Sequence, residues 1–430
     1  MKTAIIGAGA AGCFCATILR RLNPEVQIDI YESGEKPLKK VAITGGGRCN
    51  LTNSFEEVKS LNQVYPRGHN LMKRLFRQFD HHDAMRWFED EGVRLVIQDD
   101  HCVFPQSQDA MEIVSTLLRG MQGVKIHTCQ RVKEITPCPP RNEVSDSAEE
   151  DSPSKTTRYR IDTDSRSEVY DHVVVTTGGS PKLSGLNFLS NLDLEIVPPV
   201  PSLFTFNIGE RNEKTPITEL MGVVANHVET GLAGTRFKSY GPLLITHWGM
   251  SGPAILKLSS HAARWLAEND YHATLYVNWM GGMSEEEIRN MLQQRMNENP
   301  KKQASTIHPL TQRLWNHLLM KTGISPECRC AEIGNKRLNK LAALLSNDNY
   351  SITGQSRYKE EFVTCGGVSL SNIDTNTLEC KKHRGIYFAG EILDVDAVTG
   401  GFNLQAAWTM GYVVAQSIHT LPKSHPHNSK

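Results

Sequence analysis

Several groups of residues in this chain have types and spacings suited to holding a phosphorylated redox cofactor. The first is Gly7-Ala8-Gly9-Ala10-Ala11-Gly12, with Glu32 twenty residues beyond Gly12. Glycines at this spacing permit a tight turn, let backbone N–H groups approach a pyrophosphate, and let the next helix pack closely on its strand. The Glu32 carboxylate can accept hydrogen bonds from ribose hydroxyls, which favours FAD or NAD over NADP at this site. A second group, Gly45-Gly46-Gly47-Arg48-Cys49-Asn50, continues into Leu51-Thr52-Asn53. Its density of backbone and side-chain donors suits an anion or the edge of a flavin ring.

Three further groups lie downstream. Gly178-Gly179 end a β-branched run, where a late strand's glycines allow its backbone close to a cofactor. Near the C-terminus, Gly390-Glu391 and Asp394 precede Gly400-Gly401-Phe402-Asn403-Leu404. A carboxylate at Glu391 or Asp394 suits ribitol hydroxyls, and a helix opening near Asn403 aims its positive end at the flavin N1 and C2 oxygen, where charge collects on reduction. One glycine fingerprint joined to a distant strand-Gly-Glu end predicts a single extended cofactor, FAD rather than NAD. No second Gly-x-G-x-x-Gly occurs, so NAD(P)H is expected only as a transient co-substrate. His247, beside Trp248 and Ser251, is the candidate proton donor.

The elements that must position these residues follow the same logic. Thr3–Ile6 reads as a buried strand, Ala10–Leu22 as a helix and Gln27–Tyr31 as a second strand delivering Glu32. Two helices are expected between Leu71 and Gly92, short strands at Val93–Ile97 and Cys102–Pro105, and a helix from Asp109 to Leu118. Val169–Thr177 reads as one strand. Residues 137–157, rich in Pro, Ser, Asp and Glu, are expected to form a disordered hairpin tip. The Pro198–Pro201 run marks a boundary, followed by short strand-like pieces and helices, one opened by a capping box at Ser284 and Glu287.

The predicted class is therefore α/β: a two-part Rossmann-like FAD-binding domain, of glutathione-reductase-like type, interrupted by a β-barrel and a small helical insert. The expected divisions are 1–190 and 362–420 for the FAD-binding parts, 191–279 for the barrel, 280–334 for the helical insert and 335–361 for the return. The helical insert is expected to cover a cleft. Lys plus Arg equal Asp plus Glu at 47 each, which offers no overall electrostatic reason to expect nucleic acid or an anionic membrane as partner. The ten cysteines include no Cys-x-x-Cys and no zinc-site spacing, so reduced thiols and no metal are expected. Absence of a visible signal peptide or a membrane-length apolar run points to a soluble, cytoplasmic protein.

The Gly7–Gly12, Thr44–Asn53, Gly241–Gly249 and Ala389–Gln405 segments together resemble one bacterial flavoprotein family. It is that of the aminoacetone oxidase family FAD-binding enzymes, or NAD(P)/FAD-dependent oxidoreductases, which includes a bile-acid 4,6-reductase. The resemblance spans nearly the whole chain and implies an FAD domain interrupted by a barrel and a helical insert. Two positions depart from the pattern. Ser180 is followed by Pro181-Lys182 in place of the usual Ser-Tyr-Pro and its glycine-rich run, and Ala397 stands where glycine is common.

The expectation is an FAD-dependent oxidoreductase passing hydride through flavin N5 to or from a small organic molecule. An oxidase returning electrons to oxygen without nicotinamide is the alternative enzyme. A flavin-bound RNA-modification factor or scaffold is the alternative of another class, kept by the basic residues Lys301, Lys302, Arg313, Lys321, Arg329, Lys336, Arg337 and Lys340, which otherwise read as a solvated helix surface. Cys49 has no partner thiol at dithiol spacing and reads as a packing or hydrogen-bonding residue.

Overall fold

Four short runs buried on both faces, the condition that favours near-continuous Val, Ile and Ala, form a parallel sheet that the partly exposed edge strand Lys125–His127 completes. In the computed structural model, which describes residues 1–138, 157–209, 216–355 and 363–420, their order across the sheet is Ile386–Phe388, His172–Val175, Lys2–Ile6, Gln27–Tyr31, Lys125–His127. Ala4 faces Val173 on one side and Asp29 on the other. The strand order reverses beside Lys2–Ile6, so the carboxyl ends of Lys2–Ile6 and His172–Val175 flank the crevice where this topology binds ligands. The first helix, Ala10–Leu22, and the last, Phe402–His419, come so close that a Cβ on Gly411 would lie 2.7 Å from the Ala11 carbonyl oxygen. Phe14 anchors this layer, with its ring 4.8 Å from Trp87 and 5.4 Å from Trp408. Burying such a side chain contributes on the order of 1.5–3 kcal/mol.

The expected single strand Val169–Thr177 is two strands. Ser167–Tyr170 pairs antiparallel with Arg158–Thr163, whereas His172–Val175 joins the parallel sheet. The chain changes sheet at Asp171, whose N–H donates to the Lys2 carbonyl at 2.9 Å and whose carboxylate accepts from the Lys2 N–H at 2.7 Å. Strand-favouring residues on both sides conceal this switch, and only the Asp171-His172 interruption marks it in the sequence. Pro137 and Cys138, placed in the hairpin tip by composition, finish the strand Val132–Cys138. The rest of that tip, apart from Thr157, lies outside the described residues.

Two units divide the chain: Met1–Val200 with Thr364–Lys430, and Pro201–Val363. The first division falls inside the proline-rich strand Ile196–Ser202, which pairs with Val363–Val368. In the second unit six strands close into a barrel in the order Phe206–Ile208, Gly249–Ser251, Lys238–Ile245, Val224–Leu232, Ala273–Asn278, Asp348–Gln355. Closure removes the exposed edges a short sheet would leave. Helices Glu285–Glu298, Gln312–Lys321 and Asn335–Ser346 follow the fifth strand. The first is opened by Ser284, whose N–H donates to Glu287 Oε2 at 2.7 Å while its Oγ accepts from the Glu287 N–H at 3.3 Å. Asp348 is buried here with its charge met by Lys321, and its Oδ2 accepts from Trp279 Nε1 at 3.1 Å and Tyr350 OH at 2.6 Å.

Candidate cofactor site

The three glycines of the first turn do three different things. Gly7 has a φ of +105°, and a Cβ there would lie 2.5 Å from the Thr176 carbonyl oxygen. At Gly12 a Cβ would lie 2.2 Å from the Gly7 carbonyl oxygen, which fixes helix Ala10–Leu22 against its strand. Gly9 is different: nothing lies within 4 Å of its Cβ position. The backbone is thus open at the one glycine that a pyrophosphate must approach, beside Ala10 and Ala11 at the start of the helix, whose first N–H groups have no intrahelical partner. Thr176 steadies the turn by donating to the carbonyl of Gly7 at 2.8 Å. Glu32 follows strand Gln27–Tyr31, and its carboxylate accepts from the N–H of Ala8 at 2.9 Å and of Gly34 at 2.7 Å. Those bonds aim the acid at the turn and leave lone pairs for hydroxyl donors.

The donor-rich loop is reached through a helix that stops being helical at Thr44. Gly45, Gly46 and Gly47 take φ values of +58°, +69° and +83°, and nothing stands within 4 Å of a Cβ at Gly46 or Gly47. These positive φ values suit glycine and leave the loop backbone uncovered by side chains, while the N–H groups of Arg48 and Cys49 both donate to the Thr44 carbonyl, the latter at 2.9 Å. Arg48 is exposed, with Nε donating to the Gly45 carbonyl at 3.1 Å and its guanidinium 4.5 Å from the Phe104 ring centre. Cys49 is buried, and burial pushes its thiol up to about 12. With its amide oriented to satisfy both atoms, Asn50 donates to the Thr52 carbonyl at 3.0 Å and accepts from the Gly401 N–H at 3.2 Å.

That last bond joins the loop to the C-terminal motif, and others reinforce it. Asn53 Nδ2 donates to the Gly400 carbonyl at 3.1 Å, Thr52 Oγ1 to Gln405 Oε1 at 2.6 Å, and Trp408 Nε1 to the Leu51 carbonyl at 2.9 Å. Gly401 has no room for a side chain, since a Cβ would lie 2.3 Å from the Thr52 carbonyl oxygen. Asn403 spends its side chain locally, accepting from the Ala397 N–H and donating to the Ala397 carbonyl, both at 2.9 Å. Its side chain therefore braces the loop entering helix Phe402–His419, and its backbone, with that of Leu404, forms the helix's first turn. Glu391 Oε1 accepts from the Thr364 N–H at 2.7 Å, and its other oxygen is 3.6 Å from Lys40 Nζ. A Cβ on Gly179 would lie 2.5 Å from that carboxylate, and one on Gly178 4.0 Å from it. Gly390 faces the Ala11 methyl at 3.1 Å in the same sense, and Asp394 donates its N–H to the Val368 carbonyl at 3.0 Å.

The first unit thus gathers every residue proposed for cofactor contact, from Gly7 to Leu404. His247 belongs to the second unit, exposed between strands Lys238–Ile245 and Gly249–Ser251 with its ring 4.5 Å from that of half-exposed Trp248. Residues that sequence reasoning passed over are Thr176, Lys40, Thr364 and the buried ion pair of Arg67 with Asp396. Thr176 and Lys40 adjoin quoted motifs, but nothing local marks Arg67. Among the described residues, no group of three or more His, Cys, Asp or Glu has metal-holding geometry, and no helix is long and apolar enough to cross a membrane.

The residues present fit FAD: an open Gly9 at a helix start, an acid after the second strand, a second glycine loop with uncovered backbone, and a second helix start stitched to it. A parallel sheet carrying these features in two chain segments defines an FAD-dependent oxidoreductase. The chain belongs to the family described as HI0933-like protein Rossmann domain, which matches residues 1–417. It is 29% identical to a ribosomal RNA dihydrouridine synthase of Haemophilus influenzae over 96% of this chain and 97% of that one. The protein of the same name from Escherichia coli is 27% identical over 96% and 97%. A 3-dehydro-bile acid delta(4,6)-reductase of Clostridium scindens is 24% identical over 98% and 100%.

Proposed function

We propose that this protein reduces a carbon–carbon double bond conjugated to a carbonyl, and that the bond is that of a uracil ring within RNA. The observation that carries this reading is a chemistry shared by relatives with different names, each matching 96% or more of the chain. Dihydrouridine is uridine with its ring double bond saturated, and a 4,6-unsaturated 3-oxo bile acid presents double bonds conjugated to a carbonyl. In each, hydride adds to the electron-poor carbon, negative charge builds on the carbonyl oxygen, and a proton completes the neighbouring carbon. The two higher identities favour RNA over the small free substrate expected from the sequence. A steroid-like enone is the second reading, favoured by the third relative.

When bound, FAD supplies the hydride chemistry, and NAD(P)H is the proposed electron donor. The chain's part is to bind and polarise. The Gly7–Gly12 turn and Glu32 hold the adenosine end, the Gly45–Asn50 loop follows them in sequence, and helix Phe402–His419 offers its positive end to developing negative charge. His247, an exposed imidazole, is the proposed proton donor. Working on RNA of the ribosome fits a cytoplasmic protein.

The test is an anaerobic titration of the purified holoenzyme. NADH or NADPH should bleach its flavin spectrum, added unmodified ribosomal RNA should restore the oxidised spectrum, and digestion of that RNA should yield a uridine heavier by two hydrogens. Reoxidation by an unsaturated 3-oxo steroid and not by RNA would move the second reading ahead. Reoxidation by oxygen alone would favour an oxidase.

A further inference from the structure

The second unit separates its charges. Between residues 299 and 346 the chain carries eight Lys and Arg against two acids, Glu327 and Glu332, although the whole protein is balanced. The sequence returns on itself there: the Cys330 N–H donates to the Lys302 carbonyl at 2.9 Å, the Ala331 N–H to the Pro300 carbonyl at 3.0 Å, and Gln303 bridges Arg329. Lys301 and Lys302 therefore run beside Arg329, and two residues past Ile333 the chain enters helix Asn335–Ser346 carrying Lys336, Arg337 and Lys340. All six of these side chains are exposed.

The other cations of this stretch are placed differently. Lys321 is spent on buried Asp348, and Arg313 donates to the Glu219 carbonyl at 3.0 Å. Arg329 has Glu332 next to it, whose carboxylate takes the Arg329 N–H at 3.4 Å. Among the described residues, Lys301, Lys302, Lys336 and Arg337 meet no carboxylate within ion-pair distance. Acids of this layer gather in the first turn of helix Glu285–Glu298, at Glu285, Glu286 and Glu287, and Glu285 lines a cleft with Lys321 and Lys340. Glu298, at the other end of that helix and three residues before Lys301, accepts from Gln294 Nε2 at 2.9 Å and keeps its charge.

We infer that Lys301, Lys302, Lys336 and Arg337 form a docking surface for the phosphate backbone of RNA. This rests on the RNA reading above and names the surface that would hold the strand. Four exposed cations on a stretch that folds back on itself, none within ion-pair distance of a carboxylate, release counterions when they meet phosphates, whereas cations already paired gain little. Arg and Lys here supply affinity and register and carry no base information.

The test replaces all four with glutamine (Lys301→Gln, Lys302→Gln, Lys336→Gln, Arg337→Gln) in the full-length holoenzyme. The variant should melt like wild type, keep its flavin and be bleached by the same nicotinamide nucleotide at the same rate, since all four groups face solvent. Its KM for ribosomal RNA should rise about tenfold with kcat little changed, and the slope of log affinity against log salt should fall by about 3. Unchanged KM and salt slope, with wild type active on RNA, would overturn the docking surface and leave the RNA reading standing. Wild type that neither binds nor reduces RNA would overturn both. Loss of binding to anionic lipid vesicles, with RNA binding intact, would assign the surface to a membrane and overturn the inference.

Discussion

The hydroxyl of Thr52 donates to Oε1 of Gln405 at 2.6 Å across 353 residues of chain, and both side chains are buried. Gln405 passes the connection on, donating from Nε2 to Thr409 Oγ1 at 3.1 Å, which in turn donates to the Phe79 carbonyl at 3.0 Å. This chain of bonds holds the donor-rich loop against the helix start that faces it. Gln405→Leu strands the Thr52 hydroxyl and should cost about 1–3 kcal/mol in urea unfolding. Adding Thr52→Val should recover part of that loss, because the residues couple through one bond. Strict additivity of the two substitutions would show that the bond has no energetic weight.

Gly9 and Gly12 should respond in opposite ways to the same change. Gly9→Ala places a methyl in open space, so melting should stay near wild type while FAD affinity falls by about tenfold, since the methyl stands where the pyrophosphate approaches. Gly12→Ala drives a methyl to 2.2 Å from the Gly7 carbonyl oxygen and should destabilise the apoprotein by about 1–3 kcal/mol or more. Thermal melts with flavin fluorescence titration distinguish the cases, and equal loss of melting temperature in both variants would refute the division of labour.

Arg67 and Asp396 form a buried pair on which the loop before the last helix leans, with Asp396 wholly inaccessible. Asp396→Ala removes the buried carboxylate of this pair and should cost about 3–5 kcal/mol. A denaturation midpoint unmoved by this substitution would mean that water or a neighbouring group accepts the charge freely.

Cys49 should be inert towards alkylation in the native protein. Burial pushes its thiol up to about 12, so almost no thiolate exists near neutrality. Brief iodoacetamide treatment followed by peptide mass analysis should label exposed Cys129 and spare Cys49. Equal labelling of the two would reinstate Cys49 as a reactive group.

Stability should decline as the solution is acidified through the histidine range. Burial is the largest influence on His81, His172 and His317, and it lowers the pKa of each from the ordinary 6.5. The unfolded chain then binds protons that the folded chain refuses, so the stability tied to these imidazoles is present above 6.5 and is lost as pH falls through the lower folded values. Urea midpoints across this range should slope downward with acid, and His172→Phe should make the slope shallower. An unaltered slope in that variant would remove His172 from the account.

What the sequence determined by itself was local. Strand Lys2–Ile6, the glycine turn and helix Ala10–Leu22 follow from adjacent residues, as do the Ser284–Glu287 cap and most barrel strands, because dihedral limits, capping and side-chain periodicity act within a few residues. The glycine spacing also announced a cofactor, since the need for a backbone without side chains is written in residue type. Tertiary structure decided which of those glycines stays open and which is filled, that Val169–Thr177 divides between two sheets, and that Asn403 turns its amide to Ala397. It alone joined Thr52 to Gln405 and Arg67 to Asp396, and aligned Lys301 and Lys302 beside Arg329. Such partnerships depend on which apolar faces bury each other, a choice made by the chain as a whole and carried by no short stretch of it.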